Sequence, residues 1–108
     1  MSRSDRELLG DALEHLAILH RHLERADLDD DIVADAVSLR LASAIEALAA
    51  VSEAVRTRVS GGQWRVIWAT RNRIAHGYSS IDHAIIRATV ERDLPPLEAA
   101  LRRELSRH

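Results

Sequence analysis

The chain has 108 residues, a formal net charge of −2 at pH 7 and no cysteine. This length suffices for one small domain, which we expect to span residues 1–108, and the lack of cysteine excludes both a disulfide framework and a thiolate metal site. No apolar run approaches the length of a signal peptide or a membrane span, so we expect a cytoplasmic protein that has no membrane partner.

Charge is distributed unevenly along the chain. Residues 1–53 contain 12 acidic residues and 5 arginines, residues 54–81 contain 5 arginines and no acidic residue, and residues 82–108 contain 5 of each kind. All 15 basic residues are arginine, which is consistent with genomic base composition, although arginine is also the better bidentate ligand of phosphate. Residues 54–81 therefore form a basic segment that is a candidate for contact with phosphate groups.

Apolar residues recur with helical spacing along most of the chain. The first stripe, at intervals of three and four residues, predicts an amphipathic helix over about residues 5–26; it consists of Leu9, Ala12, Leu16, Leu19 and Leu23. A second, longer helix is predicted after the acidic run 29–31, whose carboxylates suit a helix N-terminus. Its stripe is Val33, Val37, Leu41, Ala44, Leu48, Val51 and Val55.

The opposite face of this second helix is not a normal solvated face. It carries Leu39, Ala42, Ala47, Ala50 and Ala54, interrupted by Glu46 and Glu53. A helix with two apolar faces can be covered on one side by its own domain and on the other by another chain, which favours a homodimer.

The second half of the chain is also predicted to be helical. Ser-Gly-Gly at 60–62 precedes a helix from Trp64 to His76, with Gly77 placed to end it. A further helix should start near Asp82, with Ile85, Ile86, Thr89 and Val90 facing inward. Asp-Leu-Pro-Pro at 93–96 is predicted to separate it from a last helix, because proline is tolerated in the first turn of a helix but not in its interior. The stripe of that last helix is Leu94, Leu97, Leu101 and Leu105.

These patterns predict an all-α fold, an antiparallel bundle of about four to five helices.

Two segments resemble metal sites only in composition. The run 27–31 begins like a calcium loop, but Ile32 stands where glycine is needed and Ser38 where a bidentate glutamate is needed. Among the three histidines of the first helix, His20 and His22 diverge by about 200° around its axis, and His15 and His22 are separated by roughly 10 Å along it. A helix cap and surface histidines are the better interpretations, and we expect no metal or cofactor.

The motif Arg-Asn-Arg-Ile-Ala-His at 71–76 is the strongest candidate for chemistry. On a helix that starts at Trp64, Arg71 points along the middle of the apolar face; that face consists of Trp64, Ile67, Trp68, Ile74 and Ala75. A guanidinium cannot lose its charge, so Arg71 must be paired with a carboxylate, a phosphate or a partner surface. The two tryptophans and Tyr78 could stack nucleic-acid bases, but tryptophans at i and i+4 more often belong to the core.

Arg71 and His76 are separated by about 140° around a helix, so one chain cannot easily aim both side chains at one atom. Two copies that face each other across a twofold axis could bring both pairs to one cleft. Asn72 shares a stripe with His76 and could orient the imidazole or hold a phosphate. An imidazole can accept the proton of a ribose 2′-hydroxyl, and an arginine can stabilise the charge that develops as the hydroxyl attacks the adjacent phosphodiester. From spacing alone, a structural ion pair of Arg71 with Glu46 or Glu53 is the more common explanation.

The pattern Arg71-Asn72-x-x-x-His76-x-Tyr78 resembles the signature of the HepT-like toxins of the HEPN superfamily. These are small all-helical ribonucleases paired with minimal nucleotidyltransferase antitoxins. Val-Ser-Glu-Ala at 51–54 is similar to the family's Ile-Gly-Glu-Ala segment, with serine in place of glycine. Trp64 resembles the tryptophan that opens the motif helix, and Asp-Leu-Pro at 93–95 the element before the last helix. The family's usual proline before that tryptophan is glutamine here.

The resemblance implies a dimeric, HEPN-like bundle that acts as a metal-independent endoribonuclease on RNA. It implies that Arg71 and His76 are catalytic, that Asn72 and Glu53 support them, and that Tyr78 is the hydroxyl to which the antitoxin transfers AMP. Two further arginines of the basic segment are predicted to contact RNA; they are Arg65 and Arg73.

Two other classes of function remain open at this point. The domain could be a helical dimerisation or adaptor module that accompanies a nucleotidyltransferase, with Arg71 bracing the dimer through Glu53. It could also be a nucleotide-binding domain whose basic segment holds a phosphate without cleaving it. The joint presence of Arg71, Asn72, His76 and Tyr78 favours the toxin, because an adaptor needs neither the histidine nor the tyrosine.

Overall fold

A computed structural model describes residues 3–76 and 82–108 of the chain. All regular secondary structure in these two ranges is helical, which confirms the predicted all-α fold. None of the helices there combines the length and the hydrophobicity that a membrane crossing requires. The elements are α1 (Asp5–Arg25), α2 (Asp31–Ala50), α3 (Glu53–Ser60), α4 (Trp64–Ala75), α5 (His83–Ala88), a π-helical turn (Thr89–Asp93) and α6 (Leu94–Leu105).

The core is built around the pair α1 and α2, which pack against each other along their length. The predicted stripe of α1 is buried apart from the half-buried Leu23, and every member of the second stripe is buried. Each fully buried leucine contributes about 1.5–3 kcal/mol relative to an exposed one. Helices α5 and α6 close the core from the other side with the buried residues Ile86, Leu94 and Leu101.

The acidic run before α2 acts as a helix cap and an anchor. Asp30 Oδ1 accepts hydrogen bonds from the backbone N–H groups of the second and third residues of α2, at 2.9 and 3.2 Å. Asp27 forms a two-point ion pair with Arg87 at 3.1 and 3.0 Å, and this guanidinium lowers the pKa of the Asp27 carboxyl. Asp29 lies 3.2 Å from the same guanidinium. The loop between α1 and α2 is thereby tied to α5.

The prediction that the second helix continues through Val55 is wrong, because the helix breaks at residues 51–52. The Ser52 hydroxyl accepts a hydrogen bond from the Val55 N–H and so caps α3. Asp5 accepts hydrogen bonds from the Ser52 N–H at 2.9 Å and from its hydroxyl at 2.7 Å, and these bonds lower the pKa of Asp5. Serine favours caps over helix interiors, so the break leaves these polar groups satisfied. Val51 and Val55 stay buried on both sides of it.

The predicted separation at 93–96 is also wrong, because the backbone stays helical from His83 to Leu105. The prolines lie in the first turn of α6. The backbone N–H of Leu94 donates to the carbonyl of Thr89, five residues back, which is π-helical geometry. A proline lacks the N–H and crowds the preceding turn of a regular α-helix. The wider π turn precedes the prolines and lets the helix continue where an interruption was expected.

A buried ion pair joins α3 to α6. Glu104, only 4% exposed, accepts hydrogen bonds from Arg58 Nε at 3.0 Å and Nη2 at 2.9 Å. The His108 imidazole lies 2.9 Å from the same carboxylate. Arg58 first, and then His108, lowers the pKa of Glu104 to about 2. Because the carboxylate is stabilised in the folded state, its contribution to stability is present above the unfolded pKa of about 4.3 and is lost as the pH falls towards 2.

We expect Glu104→Gln to lower the free energy of unfolding by about 2 kcal/mol at pH 7, since breaking a buried pair is costly but Arg58 can regain water. Urea unfolding followed by circular dichroism at pH 7 and at pH 3 would measure this. The gap between the parent and the variant should shrink at pH 3. The exposed Glu91→Gln should change stability by less than about 0.5 kcal/mol; an equal effect of both substitutions would contradict the assignment.

Candidate functional site

The motif helix α4 lies on the outside of the bundle. It packs on α2 and, over fewer residues, on α3, and none of its residues is fully buried. Four of its apolar side chains pack against the core and are half-buried, as predicted; they are Trp64, Ile67, Trp68 and Ile74. Ala75 is exposed instead, which corrects its assignment to the apolar face. The helix starts at Trp64 without a side-chain cap from Gln63.

Arg71 is the centre of the site. Its side chain is 25% exposed and reaches α2, where Glu46 Oε1 accepts hydrogen bonds from Nη2 at 2.5 Å and from Nε at 3.0 Å. Nη1 donates to Asn72 Oδ1 at 3.2 Å. The guanidinium carbon lies 4.9 Å from the centre of the Trp68 ring. The carboxylate partner that the apolar position of Arg71 required is therefore Glu46.

The contact with Trp68 belongs to a longer row of planar groups. The rings of Trp64 and Trp68 stack with centroids 5.6 Å apart, and the guanidinium of Arg56 lies 5.3 Å from the Trp64 centroid. We call Arg56, Trp64, Trp68 and Arg71 the Arg–Trp row. Its first member donates hydrogen bonds to the carbonyls of Ala49 and Val51, at the C-terminal end of α2. Both ends of the row are thus attached to the C-terminal part of α2.

His76 ends α4 and is exposed. Its backbone N–H donates to the carbonyl of Asn72 at 3.0 Å, so the two residues stand one turn apart as predicted. The side-chain carbonyl of Asn72 accepts from Arg71. Asn72 therefore connects the guanidinium on one side of the helix with the backbone that carries the imidazole.

The other predicted site residues are more dispersed. Glu53 is the exposed first residue of α3. The ion pair of Arg71 is made with Glu46, so the structure does not bring Glu53 to this guanidinium. Because the helix breaks at residues 51–52, Glu53 does not continue the face of α2 on which Glu46 lies. Tyr78 and Gly77 lie outside the described residues.

The basic segment offers two arginines to solvent. Among the described residues, Arg58 is paired with Glu104 and Arg71 with Glu46, whereas Arg65 and Arg73 are exposed and have no ion pair within that part of the chain. They stand eight positions apart on α4, about 12 Å along its axis. This arrangement places two unneutralised charges on the outer surface of the motif helix, where a phosphate backbone could reach them.

A cavity of about 360 Å³ lies on another side of α4, between it and α2, α3, the π turn and α6. Its walls are mainly apolar. None of the predicted site residues that the structure describes lines it. The apolar part of the lining includes Leu41, Ile45, Val59, Ile67, Leu94 and Leu97. The cavity is therefore separate from the site around Arg71.

In the sequence alone, Glu46 is one of two possible structural partners of Arg71, and no pattern points to the role of Arg56. The available signal was the helical phase of α2, which puts Glu46 on the face opposite the buried stripe. In one continuous helix Glu46 and Glu53, seven positions apart, would share a face. The spacing alone therefore does not decide which of them pairs with Arg71.

Comparison with known proteins agrees with this architecture and motif. A family model described as "Ribonuclease HepT-like" matches residues 9–104. Comparison with curated proteins and with solved structures gave no match. The matched range begins within α1 and ends within α6, and it contains the whole 71–76 motif. On this match over most of its length, the chain belongs to the HepT-like ribonuclease family.

Proposed function

We propose that the protein is the toxin of a toxin–antitoxin pair and acts as a metal-independent endoribonuclease in the form of a homodimer. The observation that carries this proposal is the position of Arg71 and its hydrogen bonds. In a chain of this ribonuclease family, its guanidinium is held at the surface of the motif helix by Glu46 and Asn72, and the exposed His76 follows at the helix end. A cation and an imidazole near a solvent-facing surface suit phosphodiester cleavage.

The proposed reaction needs only an acid, a base and a positive charge. The imidazole of His76 accepts the proton of a ribose 2′-hydroxyl, whose oxygen forms a bond to the adjacent phosphorus. Arg71 stabilises the negative charge on the phosphoryl oxygens. The bond to the 5′ oxygen breaks, and the imidazolium of the second copy supplies a proton to that leaving oxygen. The products are a 2′,3′-cyclic phosphate and a 5′-hydroxyl, so atoms and charge balance without water.

The exposed face of α2 supports a second copy as the partner. Leu39 is 61% exposed and Ala50 is exposed. Both lie on the second apolar face of α2, which the sequence pattern predicts to contact another chain. Ile32 at the start of the same helix is 80% exposed. Covering these side chains would remove apolar surface from water. Glu46 lies among them on the same face of α2, so a dimer on this face would bring the site around Arg71 to the interface.

The proposed control of the toxin is transfer of AMP to Tyr78 by a cognate minimal nucleotidyltransferase. The phenolic oxygen would attack the α-phosphorus of ATP, lose its proton and release pyrophosphate. Tyr78 follows His76 by two positions, so the modification would add a phosphodiester charge and a nucleoside near the basic segment. Both would oppose RNA binding.

The adaptor hypothesis receives less support. In that hypothesis Arg71 braces a dimer through Glu53. The guanidinium instead has an internal carboxylate, Glu46, and a structural arginine satisfied within its own chain has no need of a second copy.

We expect Arg71→Ala and His76→Ala each to lower the cleavage rate by at least about 100-fold, the scale of general acid–base and charge stabilisation. Both variants should keep the helical circular-dichroism spectrum and the dimer. Cleavage of end-labelled RNA, with identification of a 2′,3′-cyclic phosphate end, measures the effect. Arg21→Ala, at an exposed position on α1, is the matched control and should cleave normally. Parent protein that cuts RNA only after addition of a divalent metal would overturn the acid–base assignment.

The dimer should form at micromolar protein concentration, and Leu39→Asp should convert it to a monomer, because a carboxylate cannot be buried in an apolar interface without a partner. Light scattering coupled to size-exclusion chromatography reports the mass. Ala17→Asp, at an exposed position on α1, is the control and should leave the dimer intact. A parent protein that is monomeric under these conditions would rule out the shared cleft.

Tyr78→Phe should stay toxic, since phenylalanine keeps the ring, but it should escape neutralisation by the cognate nucleotidyltransferase and ATP. Intact-mass measurement of the co-expressed parent should show added AMP on a peptide that contains Tyr78. If the partner silences an unmodified parent, the partner acts by occluding the site rather than by AMP transfer. The proposed role of Tyr78 as AMP acceptor would then be wrong.

A further inference from the structure

The guanidinium of Arg71 is constrained on its edges and on a face. Glu46 accepts from Nε and Nη2, Asn72 accepts from Nη1, and the Trp68 ring lies against the guanidinium at 4.9 Å. We propose that Glu46 and Trp68 are positioning residues, which hold Arg71 in the orientation that receives the scissile phosphate. The inference rests on the proposed ribonuclease function, and it assigns roles to two residues outside the Arg–Asn–His motif.

The remaining donors of Arg71 fit this role. A guanidinium has five N–H groups, and three hydrogen bonds use one on Nε, one on Nη2 and one on Nη1. One N–H on each terminal nitrogen is left, and paired N–H groups are what arginine uses to bind phosphate. Glu46 therefore does not block the arginine. It occupies Nε and one N–H of Nη2 and leaves one donor on each terminal nitrogen.

The Arg–Trp row supplies the stiffness. A partly exposed arginine samples many rotamers, and fixing it requires contacts along the length of the side chain. Trp68 provides a flat surface that a guanidinium favours, and Trp64 stacks on Trp68 in turn. Arg56 contacts Trp64 and is bonded to the carbonyls of Ala49 and Val51. The row therefore starts beside residue 49 and ends at residue 46, within one turn of α2.

The same contacts argue against the tryptophans as platforms for RNA bases. Each ring is already contacted by one guanidinium and by the other ring. A base could stack there only by displacing Arg71 or Arg56, which would dismantle the site that cleaves the phosphodiester. The two tryptophans thus position the arginines rather than bind a nucleobase.

Steady-state cleavage of a short fluorogenic RNA separates positioning from binding. Glu46→Ala and Trp68→Leu should each lower kcat about 10- to 100-fold, the scale expected for a misplaced catalytic group. KM should stay the same or fall for Glu46→Ala, because the loss of a negative charge favours RNA. Trp68→Phe keeps an aromatic face and should retain kcat within about threefold.

Two control variants make the comparison specific. Glu14→Ala removes an exposed carboxylate from α1 and should leave kcat unchanged. Trp64→Leu makes the same change of side chain as Trp68→Leu on the same helix, but without direct contact to Arg71, and should lower kcat less. Equal losses in the two tryptophan variants, or a Trp68→Phe variant as impaired as Trp68→Leu, would indicate a general packing role and overturn the proposal.

A readout that needs no catalysis separates this proposal from the ribonuclease assignment. The Nε–H resonance of Arg71, identified by its absence in Arg71→Lys, should be shifted upfield by the Trp68 ring and protected from exchange with water. Trp68→Leu should abolish the shift, and Glu46→Ala should speed the exchange. If RNA is not cleaved but these signals behave as expected, only the proposed function fails. Signals that are already averaged in the parent would show that Arg71 is not held, and the proposal would be wrong.

Discussion

Helix α2 has one face buried in the core and another that carries the exposed Glu46, and the geometry of the site depends on this division. Its stripe from Val33 to Leu48 is buried against α1, which fixes the rotation of the helix about its axis. Once that rotation is fixed, Glu46 must lie on the outer side, next to α4. The position of the carboxylate that holds Arg71 is thus set by burial of leucine and valine elsewhere on the same helix. The hydrophobic term is far larger than the ion pair, whose acid is 51% exposed.

The motif helix is attached by partly buried apolar side chains together with polar and aromatic contacts. None of its residues is fully buried, but four apolar side chains are half-buried against the core, and the Arg–Trp row and the Arg71–Glu46 pair add to this attachment. Such an attachment keeps charged groups at the surface, where a polyanion can meet them. A helix sunk into the core would hold its arginines more firmly but would hide them.

The fold class and the motif helix could be predicted from the sequence because they depend on strong periodic patterns. The stripes of α1 and α2 follow from apolar spacing, and the start of the motif helix at Trp64 follows from the Ser-Gly-Gly break before it. The break at Ser52 could not be predicted in this way, because Asp5, which stabilises it, is 47 positions away in the chain. The choice of Glu46 over Glu53 as the partner of Arg71 depends on that break. Local patterns do not contain such long-range contacts.

The π turn has a consequence for how the last two helices fit the core. Ile86 and Leu94 are eight positions apart, which in a regular α-helix would separate them by about 80° around the axis. A π turn accommodates one extra residue, so the pair behaves like neighbours seven positions apart, which differ by only about 20°. Leu101 follows Leu94 by seven and continues the same line, and all three are buried. The widened turn thus absorbs one residue of chain length without rotating α6, and deletion of a single residue would be tolerated better there than at any regular turn of α6, because it would leave an ordinary α-helical turn.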